Sequence, residues 1–126
     1  LAPRRKELRE GYLVWVQDAS TKGEHPAFVI TFGKKKVLVA SGTTVDPDRL
    51  EGDRRAPAIV VLQKGNARGL ISAYTAFFPC NIRWEHREAL RWDPTQGECP
   101  GSKFEKLNDA AHELKAKEPK VPEPRE

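Results

Sequence analysis

At 126 residues the chain has room for one hydrophobic core and not for two. Its 22 Lys and Arg against 18 Asp and Glu leave a net charge of +4, a mild basic excess that suits a phosphate-bearing partner without demanding one. Two cysteines, Cys80 and Cys99, fit neither a zinc spacing nor a disulfide framework, and no run approaches the ~18 apolar residues of a membrane span, so the composition excludes a disulfide scaffold and points to a reducing, cytoplasmic setting with no metal.

In chain order, residues 1–10 carry Pro3-Arg4-Arg5-Lys6, Glu7 and Arg9 and read as a charged arm outside the core. Residues 12–16, rich in Tyr, Val and Trp, predict a strand. A polar loop through Gly23-Glu24-His25-Pro26 leads into a continuous apolar run over 27–32. That run predicts a strand buried on both faces, with the proline admitted because it stands at the strand start. Gly33-Lys34-Lys35-Lys36 turns the chain into Val37-Leu38-Val39-Ala40, a hairpin whose lysines solubilise the tip or contact a phosphate.

Residues 45–57 form a polar loop too long for a tight turn. Ala58–Leu62 is a further buried strand, and Lys64–Gly69 turns it into a strand over 70–78. Beyond it, Trp84-Glu85-His86-Arg87-Glu88 reads as a solvated surface segment. Phe104, Leu107, Ala111 and Leu114 recur at helical spacing, a stripe of about three turns. Ser102 with Glu105 has the form of a capping box and places the helix start just after Ser102. The Pro-rich residues 117–126 cannot bury apolar area and read as a disordered tail. The residues therefore predict a mainly β domain over 11–116 with a C-terminal helix, built as a small, strongly bent barrel or sheet that the helix closes or caps.

No catalytic signature stands alone: there is no Gly-rich phosphate loop, no paired-histidine metal spacing and no nucleophile elbow. Polar groups gather at strand ends instead. His25, directly before Pro26, either hydrogen-bonds its loop or acts in proton transfer. Thr43 and Thr44 follow a buried strand, where hydroxyls cap turns or hold phosphate through O–H and N–H groups. Phe77 and Phe78 read as core, and Trp84 and Trp92, set among charges, as surface or interface.

The ordered set Gly11-Tyr12-Leu13-Val14-Trp15-Val16, His25-Pro26-Ala27-Phe28-Val29-Ile30, Val37–Thr44 and Gly69-Leu70-Ile71-Ser72-Ala73-Tyr74, with Gln96-Gly97 ahead of the final helix, resembles the MazF/PemK-like toxins of bacterial toxin–antitoxin pairs. The resemblance covers residues 11 to about 115. It implies an SH3-like barrel, a homodimer, an acidic antitoxin partner, and cleavage of single-stranded RNA without metal or cofactor. In that chemistry the ribose 2′-OH attacks the adjacent phosphate, which needs a proton acceptor, a proton donor and positive charge or N–H groups for the phosphorane.

Carried over by position, the resemblance places Lys22, Glu24 and His25 in the first loop of the site and matches Thr43 and Thr44 to the hydroxyl pair that holds the scissile phosphate. Arg68, beside Gly69, joins His25, Thr43 and Thr44 as a candidate catalytic residue through its charge and not through a strict family position, and Lys22, Glu24, Tyr74, Arg54 and Arg55 are the candidate RNA contacts. Two positions depart from the family pattern. His25-Pro26 stands where the family has Arg-Pro, exchanging a permanent two-pronged cation for an imidazole that offers one or two N–H groups. Tyr74-Thr75 stands where many members have Asp-Gln, which removes a carboxylate. The alternative is a non-catalytic binder on the same fold, such as a gyrase-inhibitor-like toxin.

Overall fold

The computed structural model describes residues 7–17, 23–46, 48, 57–93 and 95–117. Six strands run in chain order: β1 (Leu13–Gln17), β2 (Glu24–Phe32), β3 (Lys36–Thr44), β4 (Val60–Gln63), β5 (Tyr74–His86) and β6 (Leu90–Arg91), followed by one helix, α1 (Gly101–Lys117). They form one sheet in the order β4-β5-β3-β2-β1-β6. Every neighbouring pair is antiparallel. The architecture is thus mainly β with a C-terminal helix. The sheet is open, with β4 and β6 as its two edges, and does not close into a barrel.

The sheet buries both faces because its central strands are apolar at consecutive rather than alternate positions. On one face Leu13, Phe28, Ile30, Leu38, Leu62, Phe77 and Ile82 pack beneath Leu107 and Ala111 of α1. Phe28 and Phe77 meet there with ring centroids 5.3 Å apart. On the other face Val14, Val16, Ala27, Val29, Val37 and Val39 are covered by Leu8, Phe32, Leu90 and Trp92. Phe77 and Phe78 are core, as expected. Trp84 packs half-buried against the helix-side cluster, whereas Trp92 packs on the opposite one and stacks on Tyr12 at 6.2 Å. Leu8 joins the packed structure, so the end of the predicted arm is not solvated tail.

The strand expected over 70–78 begins only at Tyr74, residues 70–73 being loop, and the one expected over 58–62 runs Val60–Gln63. Three further boundary differences have a clear physical reason. β2 starts at Glu24, which puts Pro26 inside the strand rather than before it. The ladder tolerates this for a reason of direction. The Val29 N–H points to Tyr12 on the β1 side, so even-numbered residues of β2 direct their N atoms toward β3. Pairing with β3 begins only at Ala27–Ser41, so the donor that Pro26 lacks falls beyond the paired region.

β5 continues through the charged segment to His86, because Ile82 and Trp84 alternate with Arg83 and Glu85 at the strand period. It is bent in the middle. Ala40 pairs with Ile82 but Gly42 pairs with Phe77, so four residues of β5, Pro79 among them, stand against Ser41 alone. The Ser41 hydroxyl donates to the Asn81 carbonyl across this bulge at 3.2 Å.

Third, α1 begins at Gly101, with Lys103 and Phe104 N–H groups donating to the Pro100 carbonyl. Ser102 lies inside the first turn and the capping-box start is displaced. The apolar stripe is the one expected, with Leu107 and Ala111 buried and Phe104 and Leu114 partly so. The helix nonetheless runs 17 residues, longer than three turns.

Candidate functional site

Pairing between β2 and β3 stops at Ala27–Ser41, while β3 continues to pair with β5 through Gly42, Thr43 and Thr44. Beyond that point the sheet forks. β1 and β2 carry Trp15, Glu24, His25 and Pro26 along one branch, and β3 and β5 carry Gly42, Thr43, Thr44 and Thr75 along the other. Between the branches lies an open hollow of about 310 Å³, lined also by Ile71 and Ser72 of the loop before β5.

Cross-strand partners share a face of a sheet, so the register says which side chains turn into the hollow. Trp15 stands between Pro26 on β2 and Arg91 on β6. Glu24 lies two residues from Pro26 on the same side, and Arg91 Nε donates to both of its oxygens, at 3.1 and 2.8 Å. The Arg91 guanidinium also sits 5.4 Å from the Trp15 ring centroid. The Glu24 carboxylate raises the affinity of Arg91 for its proton, chiefly through that hydrogen bond. The indole is held in turn, since Trp15 Nε1 donates to Gln96 Oε1 at 2.9 Å.

On the other branch Thr44 pairs with Thr75, and the Thr44 and Ser72 hydroxyls are hydrogen-bonded at 2.6 Å. Ile71 is 73% exposed, the one large apolar side chain among the described residues that stands open to solvent. The hollow thus offers an aromatic and a proline wall, a hydroxyl pair, an exposed aliphatic lip and a carboxylate. Arg91 does not line it but stands at its rim, held by two residues that do, Glu24 and Trp15.

The expected site residues divide accordingly. His25, Thr43, Thr44 and Glu24 all border this hollow. Within that set the register separates two rows. His25 is opposite Val16 and Thr43 opposite Ala76, so their side chains leave the strands away from the Trp15 and Thr44 row. Tyr74 is paired with Gln63 on β4, and it is its neighbour Thr75 that lines the hollow.

Arg68 is placed elsewhere. Its guanidinium donates to the Thr95 carbonyl at 3.2 Å, and its own carbonyl accepts from the Gly97 N–H at 2.8 Å. A side chain at Gly97 would collide with the Arg68 backbone, so this is a close loop-to-loop seam. Lys22, Arg54 and Arg55 lie outside the described residues, as does the tail over 118–126.

Reading the chain alone missed Arg91, Ser72 and Ile71. Arg91 belongs to a two-residue strand, too short to leave a periodic signal, and only its register beside Trp15 brings it to the site. Among the described residues no group of three or more His, Cys, Asp and Glu is placed to hold a metal ion. No described helix is long and apolar enough to cross a membrane. Comparison with protein-family models, curated proteins and solved structures finds no match.

Proposed function

We propose that the chain is a MazF/PemK-like toxin-type domain that binds single-stranded RNA across the forked strand ends and cleaves it by attack of the ribose 2′-OH on the adjacent phosphate. The observation that supports this is the meeting of His25, Thr43 and Thr44, distant in sequence, at one hollow. All three border it where β2 and β3 part, His25 and Thr43 on one face of the strand ends and Thr44 on the other, so this reading requires the RNA backbone to cross the strand ends from one face to the other. Trp15, Pro26 and Ile71 give unpaired bases apolar surface, a sequence-tolerant mode of contact.

In this reading His25 takes the 2′-OH proton as the 2′ oxygen bonds to phosphorus, the threonine hydroxyls hold the phosphate oxygens, and the P–O5′ bond breaks with the 5′ oxygen taking a proton from solvent, which leaves a cyclic phosphate and a 5′-OH. The family's SH3-like barrel, homodimer and acidic antitoxin belong to the same proposal. The antitoxin segment would lie over the hollow as a polyanion in place of RNA.

A specific observation favours a second reading, binding without cleavage. Arg68 is engaged in the loop seam and does not line the hollow, so the positive charge assigned to the phosphorane is not supplied from there. One experiment separates the two: purified chain is incubated with a long RNA in the presence of a chelator. Fragments with 5′-OH ends, lost in His25→Ala with the fold retained, support cleavage. Intact RNA in a retained complex supports the binder, and cleavage unchanged in His25→Ala removes His25 from the chemistry.

A further inference from the structure

We infer that the Glu24–Arg91 pair is a ligand-operated latch: a phosphodiester entering the hollow takes the Arg91 guanidinium from Glu24, and this exchange sets how tightly single-stranded RNA is held. The inference rests on the RNA-binding reading above and supplies the cation that Arg68 does not.

The geometry fits an exchangeable pair better than a fixed tie. Arg91 meets Glu24 through Nε alone, which is shared between the two carboxylate oxygens at 3.1 and 2.8 Å. Neither terminal nitrogen is bonded to Glu24, so the two-pronged face with which guanidinium grips phosphate is left open. Both side chains are well exposed, 54% for Arg91 and 40% for Glu24, and exposed ion pairs contribute little to stability. Releasing Glu24 therefore costs the fold little.

Arg91 does not itself line the hollow, but the Trp15 ring that does line it lies 5.4 Å from the guanidinium and is fixed by the Gln96 hydrogen bond, which keeps the cation at the rim within reach of a ligand after release. In the resting state the carboxylate neutralises this cation and repels weakly charged anions. A polyanion presenting a phosphate in the right place outcompetes it. Glu24 is thus an internal competitor, and its removal should help the ligand rather than harm it. A merely structural tie between β2 and β6 makes the opposite forecast for that variant.

The test is anisotropy titration of a labelled, uncleavable 2′-O-methyl single strand with the full chain at several salt concentrations. Glu24→Gln should tighten binding, by up to about fivefold, the equivalent of one exposed ion pair. Arg91→Gln should weaken it about tenfold or more and make the logarithmic salt dependence shallower by about 0.7, one phosphate contact on a single strand. Arg91→Lys should fall between wild type and Arg91→Gln, and the double variant should match Arg91→Gln. Equal weakening by Glu24→Gln and Arg91→Gln, or no effect of Glu24→Gln, would overturn the latch.

An unmodified-chain measurement covers the case of a variant that does not fold. The Arg91 Nε–Hε resonance should move on addition of the same oligonucleotide, and a resonance that stays put while RNA binds also overturns it. Binding that is lost in Thr44→Val yet indifferent to Glu24 and Arg91 sinks the latch and leaves the site reading standing. A wild-type chain that binds no single strand sinks both.

Discussion

Gly42 stands at the fork of the sheet, opposite Phe77, and replacing it with alanine probes whether the hollow's floor is as tightly built as described. A Cβ at that position would overlap the Thr75 methyl group and approach Phe77 Cε2 and Cζ to 2.9 Å. Neither neighbour has room to retreat, since Thr75 is 1% exposed and Phe77 fully buried against Phe28. Overpacking of this kind costs about 1–3 kcal/mol, and the direct overlap argues for the upper end. Glycine in a strand is itself worth about 0.5–1 kcal/mol less than alanine, which offsets part of the loss. The net expectation is a destabilisation of about 2 kcal/mol, or roughly 6–12 °C in melting temperature for a domain of this size.

Gly65→Ala is the matched control. Its Cβ would meet nothing within 4 Å, and it should melt within about 0.5 kcal/mol of wild type. The assay is thermal denaturation by circular dichroism, with urea titration to confirm that the slope is unchanged. If Gly42→Ala melts together with Gly65→Ala, β3 and β5 are not packed at the fork as described, and the hollow loses its floor.

Two further predictions test the surroundings. Burial pushes the Cys99 thiol up to about 12, so between its unfolded value of about 8.5 and that pH the unfolded chain sheds a proton the folded chain keeps, and stability falls as pH rises through this window. Urea midpoints at pH 7.5 and 10.5 should show this loss in wild type and a smaller one in Cys99→Ala. Trp15→Phe removes the 2.9 Å bond to Gln96 and should cost about 1 kcal/mol in urea unfolding, the worth of one side-chain hydrogen bond.

The strands that the chain announces most clearly are those whose apolar runs are long and local. Leu13–Val16, Ala27–Ile30 and Val37–Ala40 show their burial in composition, and the Phe104–Leu114 stripe shows its helix in spacing. The second half of β5 was hidden because Pro79, Arg83 and Glu85 look like loop, and only pairing with β3 turns Ile82 and Trp84 into a strand face. The position of Pro26 depended on which way a backbone N–H points, a property of register and not of residue type. For the site, His25, Thr43 and Thr44 were legible through a motif order. Arg91 was not, because a residue 67 positions from Glu24 meets it only through the folded sheet.

The fork also explains why a proline is admitted inside β2, two residues past its start. Two strand ends that part leave backbone donors and acceptors facing a gap, and such edges invite pairing with a foreign strand. Pro26 removes the donor that would face this gap, and Gly42 across from it leaves no side chain to fill it. The bulge at Ser41 is what swings β3 and β5 away from β2, because four residues of β5 are taken up against one of β3. Closing the hollow would therefore require straightening β5, which would drive Pro79 into the ladder where it has no N–H to give. The opening is held by backbone chemistry on both branches, so side chains around it are free to be selected for what they bind.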